Sequence, residues 1–75
     1  MIYLTKIEPE RNMARFYALD LQPNLFGEWS FIREWGRIGR AGQSRCALFA
    51  QKPEAEAALG RELKRREGRH YQRTA

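Results

Sequence analysis

The chain has 75 residues, of which 43% are apolar and 12% aromatic, and a formal net charge of +5 at pH 7. A chain this short buries only roughly 60% of its unfolded surface, which predicts one domain over residues 1–75 with no pocket deep enough for a small-molecule substrate. The apolar content excludes a disordered polymer, no run approaches the ~18 apolar residues of a membrane span, and the single cysteine, Cys46, excludes an internal disulfide and points to a reducing cytoplasm.

The opening "MIYLTKIEPE" has neither a basic head nor an uninterrupted apolar stretch, so no leader is expected. Ile2 to Ile7 alternates and is rich in β-branched residues, which predicts a strand, and "EPERN" supplies a turn. Met13 to Leu21 has the period of two of a second strand, with Tyr17, Leu19 and Leu21 on one face and Phe16, Ala18 and Asp20 on the other. Pro23, Asn24 and Gly27 break it into a loop, from which Leu25 and Phe26 are expected to fold back over the core.

"EWSFIREWGRIG" is the third strand. "GRAG" is a hairpin connection whose glycines suit positive φ, and Ser44 to Ala50 is the fourth strand. From Lys52 the period becomes helical. Pro53 suits the first turn of a helix ending near Glu67, with Gly68 as its stop. Glu54 and Glu56 near the start and Lys64, Arg65 and Arg66 near the end agree with the helix dipole, and Ala55, Ala58, Leu59 and Leu63 form its apolar stripe. The expected architecture is α+β: a small antiparallel sheet of about four strands with one C-terminal helix against it.

Charge is uneven along this outline. Residues 1–60 carry eight Lys or Arg against seven Asp or Glu, and residues 61–75 carry six against two. A basic C-terminal end suits a polyanionic partner, nucleic acid first, or else a solvated helix face. In a regular third strand Trp29, Phe31, Arg33, Trp35 and Arg37 share one face. An unpaired guanidinium is costly to bury, so the Arg33 to Arg37 end is expected to leave the dry core and to carry Trp35 to a rim. There the indole, beside Gly36 and between cations, is either a stacking platform next to phosphate donors or a core residue with arginines packed around it.

Other combinations are less productive. Gly36, Gly39 and Gly42 lack the spacing of a dinucleotide or phosphate loop. Cys46 and His70 are too few for a structural zinc, and no third group orients them as nucleophile and base. No catalysis, metal or cofactor is expected. Arg40, Arg45 and Lys52 extend a basic surface from the hairpin. Lys64 and Arg65, with Arg61, form either a phosphate track or a solubilising face, and Tyr71 either stacks on a ligand or caps the core.

The "FYALDL" strand, "FGEWSFIREWGRIGRAGQ", the "PEAEAALGRELKRRE" helix and the terminal "GRHY" together resemble the WGR domain, in its stand-alone bacterial form. The resemblance takes in nearly the whole chain and is named for the tripeptide Trp35, Gly36, Arg37. It implies a non-enzymatic DNA-binding module, like the domain that engages DNA breaks in poly(ADP-ribose) polymerases. Carried over position by position, it makes Trp35 the residue that packs on a terminal sugar, Arg37 a contact to phosphate or to a partner protein, and Arg33 and Gln43 matching positions without an assigned contact. The partner expected is DNA at ends, nicks or gaps, in the cytoplasm or on the nucleoid. The alternative is a protein-interaction module using the same Trp35 and Arg37 surface.

Overall fold

A computed structural model describes residues 1–74. Four long strands follow one another as a meander: β1 (Ile2–Glu8), β2 (Met13–Pro23), β3 (Trp29–Arg37) and β4 (Gln43–Phe49). Helix α1 (Lys52–Glu67) comes next, then a short β5 (Gln72–Arg73). The sheet order is β4-β3-β2-β1-β5 with every pair antiparallel, so the α+β expectation holds with one strand added. α1 starts after one edge strand, crosses a single face of the sheet and delivers the chain to the opposite edge.

The core follows from the alternation in β2. Tyr17 and Leu19 face the helix side and join Leu4, Phe31, Ala58 and Tyr71 in one buried cluster, with Leu59 and Leu63 packed at its margin. Phe16 and Ala18 point to the other side and are buried as well. Tyr3 stacks on Phe16, with ring centroids 5.7 Å apart and planes 5° from parallel. The central strand is therefore sealed on both faces, although only one carries a helix.

Three local expectations change. β2 runs on to Pro23, which closes the strand opposite Trp29 at a point where a missing N–H is tolerated. Leu25 and Phe26 do not fold over the core; they are 99% and 85% exposed. The cause is Asn24, whose side-chain oxygen accepts from the Phe26 and Glu28 amides, both at 2.9 Å, while Gly27 turns at φ 80°. That Asn-centred turn is too tight to return either side chain to the sheet.

Finally, the left-handed residue after α1 is His70, at φ 71°, and not Gly68, which stays helical at φ −65°. The Tyr71 amide donates to the Arg66 carbonyl and the His70 amide to Glu67, at 3.1 Å each, the paired bonds of a Schellman stop. This reversal aims Tyr71 into the core and lays β5 along β1, where Thr74 N–H donates to the Tyr3 carbonyl at 3.0 Å.

Candidate functional site

Register decides what meets on the helix side of the sheet. Trp35 lies between Tyr17 on β2 and Gln43 on β4, Arg33 lies between Leu19 and Arg45, and Arg37 pairs with Arg15. α1 reaches the sheet here through Glu62 and Arg66, and the chain then turns to the far edge. What remains, across β2, β3 and β4 at the Arg15, Arg37 and Gln43 end of the sheet, is an open groove of about 720 Å³. The groove is broad and open, not the deep pocket that the chain's length argues against, and it exists because a single helix does not cover a four-strand face.

The groove wall is cationic. Arg15, Arg33, Arg37, Arg45 and Arg66 line it together with Trp35, Gln43 and Tyr71, and among the described residues no carboxylate does. Trp35 is half-buried: it packs against the core cluster and also faces the groove. Its indole stacks on Tyr17 at 5.8 Å between centroids and 15° between planes. The two readings of Trp35 left open by the sequence are therefore compatible, one part of the ring serving the core and the rest the groove wall. Tyr71 behaves the same way, 9% exposed, edge-on to Tyr17 and part of the groove lining.

The glycine of the tripeptide has a packing reason. A Cβ on Gly36 would lie 2.9 Å from the Gly42 Cα, and one on Gly42 would collide with the Trp35 carbonyl and come within 2.9 Å of the Phe16 ring. The two glycines let the hairpin close over Phe16. Of the connection's glycines, Gly39 is the one with positive φ, at 87°. Arg37 also has a local partner, since its Nη1 and Nη2 donate to the Asn12 carbonyl and side-chain oxygens at 3.0 and 3.3 Å. Asn12 sits in the left-handed region at φ 51°, so Arg37 braces the β1–β2 turn while it lines the groove.

Behind the wall lies a buried acid. Glu62 is 6% exposed, and its Oε1 accepts from the Tyr17 hydroxyl at 2.8 Å and from Arg66 Nε at 3.0 Å. Arg65 and Arg33 approach Oε2 at 3.6 and 3.8 Å. Burial alone would raise the Glu62 pKa, but the Tyr17 and Arg66 hydrogen bonds and the charges of Arg66 and Arg65 outweigh it and hold the carboxyl below its ordinary range. Burial pushes the Tyr17 phenol up, reinforced by its bond to Glu62 and the charge there, against the opposing pull of Arg66 and Arg33. The Arg66 guanidinium also lies over the Tyr17 ring, 4.3 Å from its centroid.

Of the residues singled out in the sequence, Arg33, Trp35, Gly36, Arg37, Gln43, Arg45 and Tyr71 come together at the groove. Arg40, Lys52, Lys64 and Arg65 lie outside its lining. Arg40 is in the hairpin turn, its amide bonded to the Arg37 carbonyl. Lys52 Nζ sits 5.1 Å from the Trp29 ring centroid at the other end of the sheet. Lys64 lines a separate shallow depression with Arg61 and Glu67, and Arg65 leans on Glu62. Sequence reasoning missed Arg15, Tyr17, Arg66 and Glu62. The signal for Glu62 was present, since 55, 58 and 62 continue the buried stripe at helical spacing and place Arg66 one turn on.

A model of the WGR domain family matches residues 1–75. The chain is also similar to the "Uncharacterized protein y4dW" of Sinorhizobium fredii (strain NBRC 101917 / NGR234), at 46% identity over 54 residues, which is 72% of this chain and 26% of that protein. The chain thus spans about a quarter of that relative's length. No solved structure matches it.

Proposed function

The chain belongs to the WGR domain family, a family of nucleic-acid-binding modules, and from that premise we propose that it binds DNA without base-edge readout and prefers ends, nicks or gaps. The observation that carries the reading is the set of five arginines around a half-buried indole in a groove that no carboxylate of the described residues lines. Guanidiniums suit phosphate oxygens, and an indole suits a sugar or base left without a neighbour by a break in the strand. A bacterial module of this kind would act in the cytoplasm or on the nucleoid.

Fluorescence anisotropy on nicked and intact duplexes of one sequence tests it. Wild type should bind both at about 50 mM salt and favour the nicked duplex. Trp35→Ala should weaken the nicked complex by about 1–3 kcal/mol and the intact one by less. Equal affinity for the two duplexes removes break recognition, and no binding to either removes the whole reading.

A second reading is supported by the β2–β3 turn. Leu25 and Phe26 are displayed to water on a turn stiffened by Asn24, well away from the groove, as anchors for a protein partner would be. Co-purification of one partner that survives nuclease and high salt, and is lost in Phe26→Ser, would favour it.

A further inference from the structure

We propose that Glu62 is a positioning residue for the groove, fixing the Arg66 guanidinium against the Tyr17 ring before any phosphate arrives. The proposal rests on the nucleic-acid reading above and adds to it the residue that prepares the binding arginine.

Arg66 is held from two directions. Its Nε donates to Glu62 Oε1 at 3.0 Å, and its guanidinium carbon stands 4.3 Å from the Tyr17 ring centroid. The same Oε1 takes the hydroxyl of Tyr17, 45 residues earlier in the chain, at 2.8 Å, so carboxylate, phenol and guanidinium form one closed arrangement. Among the described residues, no side-chain hydrogen bond engages Arg66 Nη1 or Nη2. Arg66 lines the groove and Glu62 does not. The acid is behind, the cation in front, and the two terminal nitrogens are left for a ligand.

Ordering a long side chain at an interface costs about 2- to 12-fold in affinity when the ligand has to do it. A buried carboxylate that orders Arg66 in advance removes that cost. A bystander acid would do the reverse, because a negative charge a few ångströms from a polyanion site weakens binding. The two roles therefore predict opposite signs for one substitution.

Glu62→Gln raises the net charge by one and nearly keeps the shape. Measured by anisotropy on the nicked duplex at about 50 mM salt, it should bind about 2- to 12-fold more weakly than wild type. The Arg66 Nε–H resonance in proton–nitrogen NMR should stand apart from the exposed arginines in wild type and collapse toward them in Glu62→Gln. Arg66→Ala should bind more weakly too, and adding Glu62→Gln to it should cost nothing further. Tighter or unchanged binding by Glu62→Gln overturns the proposal, as do losses that simply add. Should Glu62→Gln not fold, Arg66→Lys decides: it keeps the charge but gives its one cationic head to Glu62, so undiminished affinity overturns the proposal and weaker binding supports it. Failure of the wild-type chain to bind either duplex removes the underlying reading and this proposal with it, and is seen before any variant is made.

Discussion

Phe16 and Glu62 occupy opposite sides of the sheet, and each sets a requirement on residues far away in sequence. Phe16 is 7% exposed because the hairpin folds over it, and the hairpin can do so only while positions 36 and 42 have no side chain. Gly42→Ala forces the Trp35 carbonyl and the Phe16 ring apart, and overpacking of that kind typically costs about 1–3 kcal/mol. Urea denaturation should register the loss as a lower midpoint with an unchanged slope. At Gly60, where a Cβ would meet nothing, alanine should instead stabilise α1 by up to about 1 kcal/mol.

Glu62 makes stability depend on pH. Its carboxyl gives up a proton more readily in the folded chain than in the unfolded one, so its contribution is complete above the ordinary glutamate range near about 4.3 and drains away as pH falls through the lower folded value. Tyr17 has the opposite sense: its phenol is harder to ionise when folded, so its contribution holds below about pH 10 and is lost as pH rises beyond. Thermal melts should show an acid-side decline that is shallower in Glu62→Gln, and an alkaline decline that is shallower in Tyr17→Phe. Unchanged acid-side slopes in Glu62→Gln would mean that another carboxylate sets the acid limit.

At the scale of elements, α1 and its exit explain both what the sequence discloses and what it hides. The four long strands and the helix were legible because alternation and helical spacing are local, and Pro53 marks the first turn within one residue. β5 was not legible, since two residues carry no period; it exists because the reversal at His70 brings Gln72 and Arg73 against Thr5 and Leu4. Gly68 looked like the stop because glycine takes a left-handed conformation without cost, yet the chain places that conformation two residues later, on a histidine. The arginines on β3 and β4 could be read as one cluster from strand phase. Arg15, Tyr17 and Arg66 could not, because their meeting depends on strand register and on where the helix crosses. The histidine is open to test: His70→Gly relieves a non-glycine left-handed residue and should stabilise the fold by about 1 kcal/mol, a rise in melting temperature of roughly 4–8 °C for a domain this size. A fall would mean that the His70 side chain holds the reversal in place.

Over the whole molecule, the formal charge of +5 misdescribes where the positive surface is. The excess lies in residues 61–75, where Arg65 and Arg66 gather on Glu62 and Arg73 on Glu67, while Arg61 and Lys64 face outward from α1. The groove instead draws four of its five arginines from strands whose segment of the chain is nearly neutral, and the fifth from the helix end. Binding to duplex DNA through that groove should therefore follow salt with a log-log slope of at most roughly −4 to −5, near −0.9 for each guanidinium that neutralises a phosphate. Arg15→Ala and Arg45→Ala should each make the slope shallower by about 0.9. Arg61→Ala and Lys64→Ala, on the exposed outer face of α1, should leave it unchanged. The reverse result, a slope that answers to the helix face and ignores Arg15 and Arg45, would move the nucleic acid to the outside of α1 and leave Trp35 with no terminal sugar to meet.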